Sequence, residues 1–397
     1  MKAVVSLNSG SSSIKFGVFR LDENHRPIHS AGGKFEKIGI APNLRIATDE
    51  GEVLLEKDWG GNGAPLTHSD LLDFLFDWAH DHVEPHSIVA IGHRVVHGGT
   101  DFVAPQRVTG ELLDQLETLC PLAPLHQPHN LVAIRTLARL SPHLPQVACF
   151  DTAFHHGKPE VAARMALPRA FHDQGIRRYG FHGLSYEYIA RKLKQIDPDM
   201  IAGRVIVAHL GNGASLCAML DGKSIDTTMG FTALDGLMMG TRCGRLDPGV
   251  VLHLQEQMGY SAEAVEALLY KKSGLLGVSG LSSDMRQLAA SDEPAAQEAI
   301  ELFVYRAARE AGALVSSLRG LDGIVFTAGI GENDPAVRSA ICHRLDWLSI
   351  ELDESANAAG APVISTPQSR VKVRVLPTDE ERMIALHTVH LLYGDRA

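Results

Sequence analysis

Two segments of this chain share one plan, and that plan limits the fold more than any other feature. Ala3 to Leu7 runs apolar, Asn8-Ser9-Gly10-Ser11-Ser12-Ser13 interrupts it with small hydroxylated residues, and Ile14-Lys15 opens a second apolar strand. The plan recurs. Val205 to Leu210 is apolar, Gly211-Asn212-Gly213-Ala214-Ser215 forms a small-residue turn, and Leu216 to Leu220 resumes the strand before an Asp221-Gly222 turn. Each copy is followed later by a further apolar strand ending in glycine, Ile88 to Gly92 and Ile324 to Gly329. Small-residue hairpin turns are common singly. Two copies in the same order, with the same sequel, imply an internal duplication with one copy per domain.

The segments between these strands read as helices. Pro294 to Leu318 carries Ala299, Ile300, Phe303, Val304, Ala307, Ala311, Leu314, Val315 and Leu318 on one stripe and stops at Gly320, which predicts a helix packed on a sheet. A strand over Val371 to Leu376 and a helix over about Asp379 to Leu392 close the chain. Strands alternating with such helices define an α/β chain with a mixed sheet in each half. At 397 residues, 45% hydrophobic and 21% charged, it is long enough for two domains. Two domains usually enclose a cleft. A net charge of -10 argues against a nucleic-acid partner. Cys120, Cys149, Cys217, Cys243 and Cys342 show no paired spacing, so neither a zinc site nor a disulfide framework is expected. No apolar run reaches 18 residues and only seven residues precede Asn8, so the expectation is a cytoplasmic protein without membrane partners.

Standard nucleotide fingerprints are absent. Gly222-Lys223-Ser224 imitates the end of a Walker loop, but Cys217 stands where its first glycine belongs and a strand precedes it. The phosphate-binding candidates are the two strand–turn–strand loops, whose N–H groups and hydroxyls can form anion nests, and Gly329-Ile330-Gly331-Glu332-Asn333 as a third such turn. His93-Arg94-Val95-Val96-His97 as a strand puts Arg94 and Val96 on one face, a guanidinium beside an apolar patch, which suits a carboxylate carrying a short alkyl group. Read as a metal helix, the same stretch lacks the HExxH glutamate and runs into two glycines, so His93 and His97 read better as core histidines. His126, Asp151, His182 and Arg242 are further polar groups in loops or at strand ends, each with a plain alternative: Asp151 as a cap, His126 on a carbonyl, Arg242 paired with Asp247. Thr378 and Glu381 fit a T-x-x-E capping box, which leaves Glu380 as the carboxylate for Mg²⁺.

The segments NSGSSSIK, GHRVVHGG, APLHQP, FDTAFH, RRYGFHG, HLGNGAS, DTTMGFT, MGTRCG, SSDMRQL, FTAGIGEN and PTDEE, in this order along nearly the whole chain, resemble the acetate kinase family. That resemblance implies two duplicated ribonuclease-H-like, actin-type ATPase domains with mixed sheets flanked by helices and the active site in the cleft between them. It divides the chain into 1–152 plus 382–397 and a nucleotide-binding, dimerising 153–381, and implies a homodimer. The implied activity is reversible transfer of the ATP γ-phosphoryl group to acetate, with Mg²⁺ or Mn²⁺ as cofactor and propionate as a second substrate. Arg94 and Arg242 would hold the carboxylate and the moving phosphoryl group, and His182 and Asn212 would donate to its oxygens. Asp151, Glu380 and Asn8 would organise the metal. Ser11, Ser13 and Lys15 would face the phosphates, with Leu210, Gly211 and Gly213 of the second loop; His126 and His209 would line the same cleft. Asp284, Met285 and Arg286 with Gly329, Ile330, Gly331 and Asn333 would hold the adenosine end, and Val96, Leu125, Phe181 and Ala233 the acyl group. Three positions depart from the family pattern: Ala233 and Leu184, where proline and threonine are usual, and Asp379 in place of asparagine.

The chemistry is consistent with these residue types. A carboxylic acid is ionised at neutral pH and can attack phosphorus without a general base, so the enzyme must chiefly neutralise charge around the spread-out transition state. A sugar kinase would need a base, for which Asp151 is the candidate, but has no use for Arg94 and Arg242 at its acceptor. A nucleotide-driven switch would need no acceptor clamp at all.

Overall fold

The computed structural model describes residues 2–61, 66–82 and 87–394, with side chains outside 80–82. Contacts divide the chain into two compact units, Met1–Ala153 with Asp379–Ala397, and Phe154–Thr378. The second crossing falls after Thr378, where 381 was expected, so Glu380 and Glu381 belong with the first unit.

In the first unit, strands β1 (Ala3–Ser9), β2 (Ile14–Leu21), β3 (Pro27–Glu36), β4 (Asn43–Thr48), β5 (Val53–Asp58), β6 (Ile88–Val95), β7 (Gln106–Arg107) and β8 (Gln146–Phe150) form one sheet in the order β5-β4-β3-β2-β1-β6-β8-β7. In the second, β9 (Arg204–Leu210), β10 (Ala214–Leu220), β11 (Lys223–Thr227), β12 (Gly323–Thr327) and β13 (Lys372–Val375) run β11-β10-β9-β12-β13. The repeat is now visible in the pairing. β1 is antiparallel to β2 and parallel to β6, which is parallel to β8; β9 is antiparallel to β10 and parallel to β12, which is parallel to β13. The duplicated strand–turn–strand segments therefore occupy equivalent places in two sheets of the same topology.

The central strands of both sheets are covered on both faces, which is why they lack a clean apolar–polar alternation. Leu7, Ile14, Phe16 and Ile91 pack with Leu71, Leu72, Ala133 and Leu137 of helices His68–His82 and Gln127–Leu140. On the other face Val4, Phe19 and Ala90 meet Ala385 and Val389 of the C-terminal helix Glu380–Tyr393. That approach needs a glycine. A Cβ on Gly92 would lie 2.1 Å from Thr388 Oγ1 and 2.5 Å from Ile384 Cγ2. In the second unit, the helix Gly183–Ile196 buries Tyr186, Ile189 and Leu193 against Val205, Val207, Cys217 and Val325. Pro294–Leu318 is a single helix that packs on the same sheet, with the bounds its apolar stripe predicts.

Three local expectations change. Gly329 to Asn333 is the body of a short helix, Ala328–Asn333, entered through Ala328 at φ 65°. The capping box does not form: Asp379 caps the C-terminal helix by accepting from the Arg382 amide, Thr378 Oγ1 is bonded to Ser185, and Glu381 pairs with Lys15. Asp, one of the strongest N-cap residues, simply wins over a threonine one position earlier. Asp247 caps the helix Pro248–Glu256 through the Gly249 amide, while Arg242 Nη1 donates to the Ala233 carbonyl.

Candidate active site

The parallel strands β1, β6 and β8 end side by side, and such carboxyl ends are where open α/β sheets present their chemistry. Asn8, Arg94 and Asp151 sit there. Arg94 Nε donates to Asp151 Oδ2 at 2.9 Å, its Nη2 converges on the same oxygen, and Nη1 donates to Asn8 Oδ1 at 3.2 Å. The C-terminal helix begins over this cluster, so that Asn8 Nδ2 donates to Glu380 Oε2 at 3.3 Å and Lys15 Nζ to Glu381 Oε2 at 2.9 Å. Burial works against the charge of Arg94, but Asp151 and Glu380 outweigh it and raise its pKa. Burial pushes Glu380 up to about 7 against the pull of Arg94, with Asp151 and Glu381 adding repulsion.

The anions here outnumber their local cations. Asp151 is fully buried, and its Oδ1 has no hydrogen-bond partner among the described residues. An orphaned carboxylate oxygen beside a second, crowded carboxylate and an amide oxygen is the donor set of a hard divalent cation, so these residues fit Mg²⁺ or Mn²⁺. No group of three or more acidic, histidine or cysteine ligands occurs among the described residues, so such an ion would complete its shell with water or phosphate.

The opening turn is fixed from outside. Gly10 N donates to Ser13 O, His68 Nε2 bonds Gly10 O, and Asn130 Nδ2 donates to Ser9 O at 2.6 Å, while the hydroxyls of Ser11, Ser12 and Ser13 bond nothing among the described residues. Val96 lies just past the end of β6, buried, and its amide donates to Asn130 Oδ1 at 3.0 Å. Gln127 clasps the next residue through both the N–H and the C=O of His97. Sequence reasoning passed over Asn130 and Gln127; the signal was two amides, three apart, on the inward stripe of a helix that also buries Leu131, Ala133, Ile134, Thr136 and Leu137. Leu125 and His126 lie half-buried just before that helix. His93 and His97 are buried core histidines, and burial pushes each down to about 4.

The second unit assembles its own cluster. His182 adopts φ 58° and leads into the helix Gly183–Ile196; its ring stacks on His209 at 4.1 Å between centroids. Gly211 N bonds Gly213 O, which closes the loop after β9, and Gly240 N bonds Asn212 O. A Cβ on Gly213 would lie 3.4 Å from His182 Nε2 and 3.9 Å from Arg242 Nη1, so bare backbone, histidine and arginine converge on one spot. Leu210 and Phe181 are buried behind it. His155 Nε2 donates to the Phe181 carbonyl at 2.9 Å and holds that residue in place. Ala233, half-buried, reaches this cluster through its carbonyl on Arg242.

Asp284 caps the short helix Met285–Ala289 and grips the exposed Arg286 guanidinium at 2.6 Å, with Met285 buried beneath. Gly329, Ile330, Gly331 and Asn333 form the Ala328–Asn333 helix, where Asn333 Nδ2 returns to Gly329 O. Two unforeseen residues fix it: Glu332 accepts from the Ala328 and Thr378 amides, and the fully buried Arg338 donates to the Gly331 and Glu332 carbonyls. Nothing in local sequence pattern distinguishes Arg338 from a surface arginine.

Two sheets that share one core topology, each with a small-residue turn between its first two strands, define the ribonuclease-H-like, actin-type ATPase class to which acetate kinases belong. The comparisons give the particular family. Residues 3–386 match the model of the acetokinase family. The acetate kinase of Rhodopseudomonas palustris is 52% identical over 394 residues, covering 98% of each chain. Among solved structures, a propionate kinase from Francisella tularensis superposes with a TM-score of 0.89 at 37% identity, covering 98% of this chain and 99% of that one. The acetate kinase of Porphyromonas gingivalis gives 0.85 at 38%, covering 99% and 100%. The chain belongs to the acetokinase family, and its activity is that of an acetate kinase. No helix among the described residues is long and apolar enough to cross a membrane.

Proposed function

We propose that the chain catalyses reversible transfer of the ATP γ-phosphoryl group to acetate, giving acetyl phosphate and ADP, by direct attack of the carboxylate on phosphorus. The convergence of His182 Nε2 and Arg242 Nη1 on the side-chain-free Gly213 carries this reading, because it is a cradle for oxyanions. Asn212 and His182 donate to the phosphoryl oxygens, and Arg242 neutralises the charge that develops on them. Arg94, steered by Asp151 and Asn8, aligns the acceptor carboxylate. Val96, Leu125, Phe181 and Ala233 enclose its methyl group. Asn8, Asp151 and Glu380 would hold Mg²⁺ or Mn²⁺, which when bound neutralises phosphate charge. Lys15, Ser13, His126, His209 and the Gly211–Gly213 loop serve the phosphates; Asp284, Met285, Arg286 and Gly329 to Asn333 serve the adenosine.

Propionate is a second substrate in this reading, supported by alanine at 233 and by the likeness to a propionate kinase. The active form is a homodimer; Leu246, Val250, Leu252 and Met258 of the second unit all expose more than a third of their surface and suit such an interface. Five free cysteines agree with residence in a reducing cytoplasm. The decisive experiment incubates Mg-ATP with formate, acetate, propionate and butyrate and traps acyl phosphate with hydroxylamine. Acetate and propionate should yield hydroxamate. ATP hydrolysis that ignores the carboxylic acid, with no hydroxamate, would overturn the proposal.

A further inference from the structure

His182 and His209 are stacked, buried, and each bonded at Nδ1 to a serine: His182 to Ser215 Oγ at 2.8 Å and His209 to Ser185 Oγ at 2.8 Å. Each serine is bonded in turn to a second hydroxyl. Tyr186 Oη meets Ser215 Oγ, and Thr378 Oγ1 donates to Ser185 Oγ at 2.8 Å. Tyr186, Ser215 and Ser185 are wholly buried, so each proton must find an acceptor inside the protein.

We propose that two hydroxyl relays, Tyr186 to Ser215 and Thr378 to Ser185, lock His182 and His209 as neutral imidazoles carrying their proton on Nε2. Counting protons gives the direction. The Tyr186 hydroxyl bonds only Ser215 among the described residues, so its proton goes to Ser215 Oγ. The Ser215 proton then has one acceptor left, His182 Nδ1, which must be a bare lone pair. Thr378 donating to Ser185 leaves the Ser185 proton for His209 Nδ1 by the same count. Protonating His182 Nδ1 would strand a hydroxyl proton of the buried Tyr186–Ser215 pair without an acceptor, and protonating His209 Nδ1 would reverse the Thr378 to Ser185 bond. Burial also pushes the Tyr186 phenol far above its usual range, with Cys217 adding to the effect and Ser215 opposing it, which keeps it a donor. The consequence falls on the reactive side. His182 Nε2, next to Gly213 and Arg242, is a fixed N–H donor and not a base.

The inference deepens the proposed function, from which it takes the role of His182, but its first test does not depend on activity. Long-range ¹H–¹⁵N correlation spectra of histidine-labelled protein at pH 7, with His182→Gln and His209→Gln variants used only to assign signals, report the protonation of each nitrogen. Both rings should show an unprotonated Nδ1 and a protonated Nε2. A protonated Nδ1 on His182, or an imidazolium, would overturn the proposal whether or not hydroxamate forms in the assay above. Ser215→Ala should mix the His182 tautomers and lower kcat by about 10 to 100-fold while KM for ATP moves little. Tyr186→Phe should do the same more weakly, since Ser215 keeps its own proton but loses the donor that directs it. If Ser215→Ala leaves the His182 nitrogens unchanged, Ser215 is not the lock. Because the tautomers are read from the wild-type spectrum and the histidine variants serve only to assign it, a misfolded Ser215→Ala cannot rescue the proposal.

Discussion

At the scale of single residues, the two arginines differ in how they are held. Arg94 is clamped by Asp151 and Asn8, whereas Arg242 Nη1 donates to the Ala233 carbonyl, meets the Met239 sulfur and would lie 3.9 Å from a Cβ on Gly213. Arg242→Lys should therefore lower kcat/KM by about 2 to 4 kcal/mol in transition-state terms, because a point charge cannot bridge two oxygens. Steady-state kinetics with unchanged melting temperature would locate that loss in catalysis; near-normal kinetics would make Arg242 structural. The neighbouring acids Asp379, Glu380 and Glu381 split three ways. Asp379→Ala should cost about 0.5 to 2 kcal/mol of stability as a lost cap. Glu380→Gln should abolish metal-dependent turnover at little cost in stability. Glu381→Ala breaks a bond to a half-exposed Lys15 and should cost under about 1 kcal/mol. Urea melts and metal titrations of the three variants check this ordering. Ala233→Pro should lower the ratio of kcat/KM for propionate over acetate, since one methylene is worth about 0.8 kcal/mol where it finds apolar room. An unchanged ratio would place Ala233 outside the acyl wall.

Elements position these residues through close approach. The C-terminal helix can carry Glu380 to Arg94 only because Gly92 lets it lie on β6. Gly92→Ala should overpack that contact, cost about 1 to 3 kcal/mol, and weaken metal dependence through displaced Glu380. Thermal melts with and without Mn²⁺ would show both losses; a change in stability alone would mean the helix start does not move. On the other flank, Asn130 joins the end of β1 to the residue after β6 in one side chain.

For the whole molecule, buried neutral histidines predict acid lability. Burial lowers His93 and His97 to about 4 and His155 to about 3, the last helped by Lys158 and opposed by its bond to Phe181. Below about pH 6.5 the unfolded chain binds protons that the folded chain does not, so stability is present above that pH and is lost as pH falls toward 4. Each group contributes a slope of about 1.4 kcal/mol per pH unit. His155→Gln should make stability between pH 7 and 5 flatter by about that slope; an equally steep profile would mean that His155 is not neutral in the fold. Light scattering should give a dimer mass, with Leu252→Glu shifting it toward the monomer.

The sequence by itself determined the duplicated topology, the ends of the long helix and the family, because strand and helix periods and small-residue turns are local signals that survive without a structure. It also placed Arg94, Asp151, His182 and Arg242 at strand ends and in loops, where chemistry collects. Only the tertiary structure decided which of Asp379, Glu380 and Glu381 caps the helix, since capping competes with contacts 366 to 372 residues distant in the chain. Asn130 and the Tyr186–Ser215 pair act through hydrogen bonds that span 121 and 29 residues, and Arg338 ties the Gly331 turn to Asn357, 19 residues away. Their roles are fixed by burial, which forces each polar group to find a partner, and burial is a property of the folded chain.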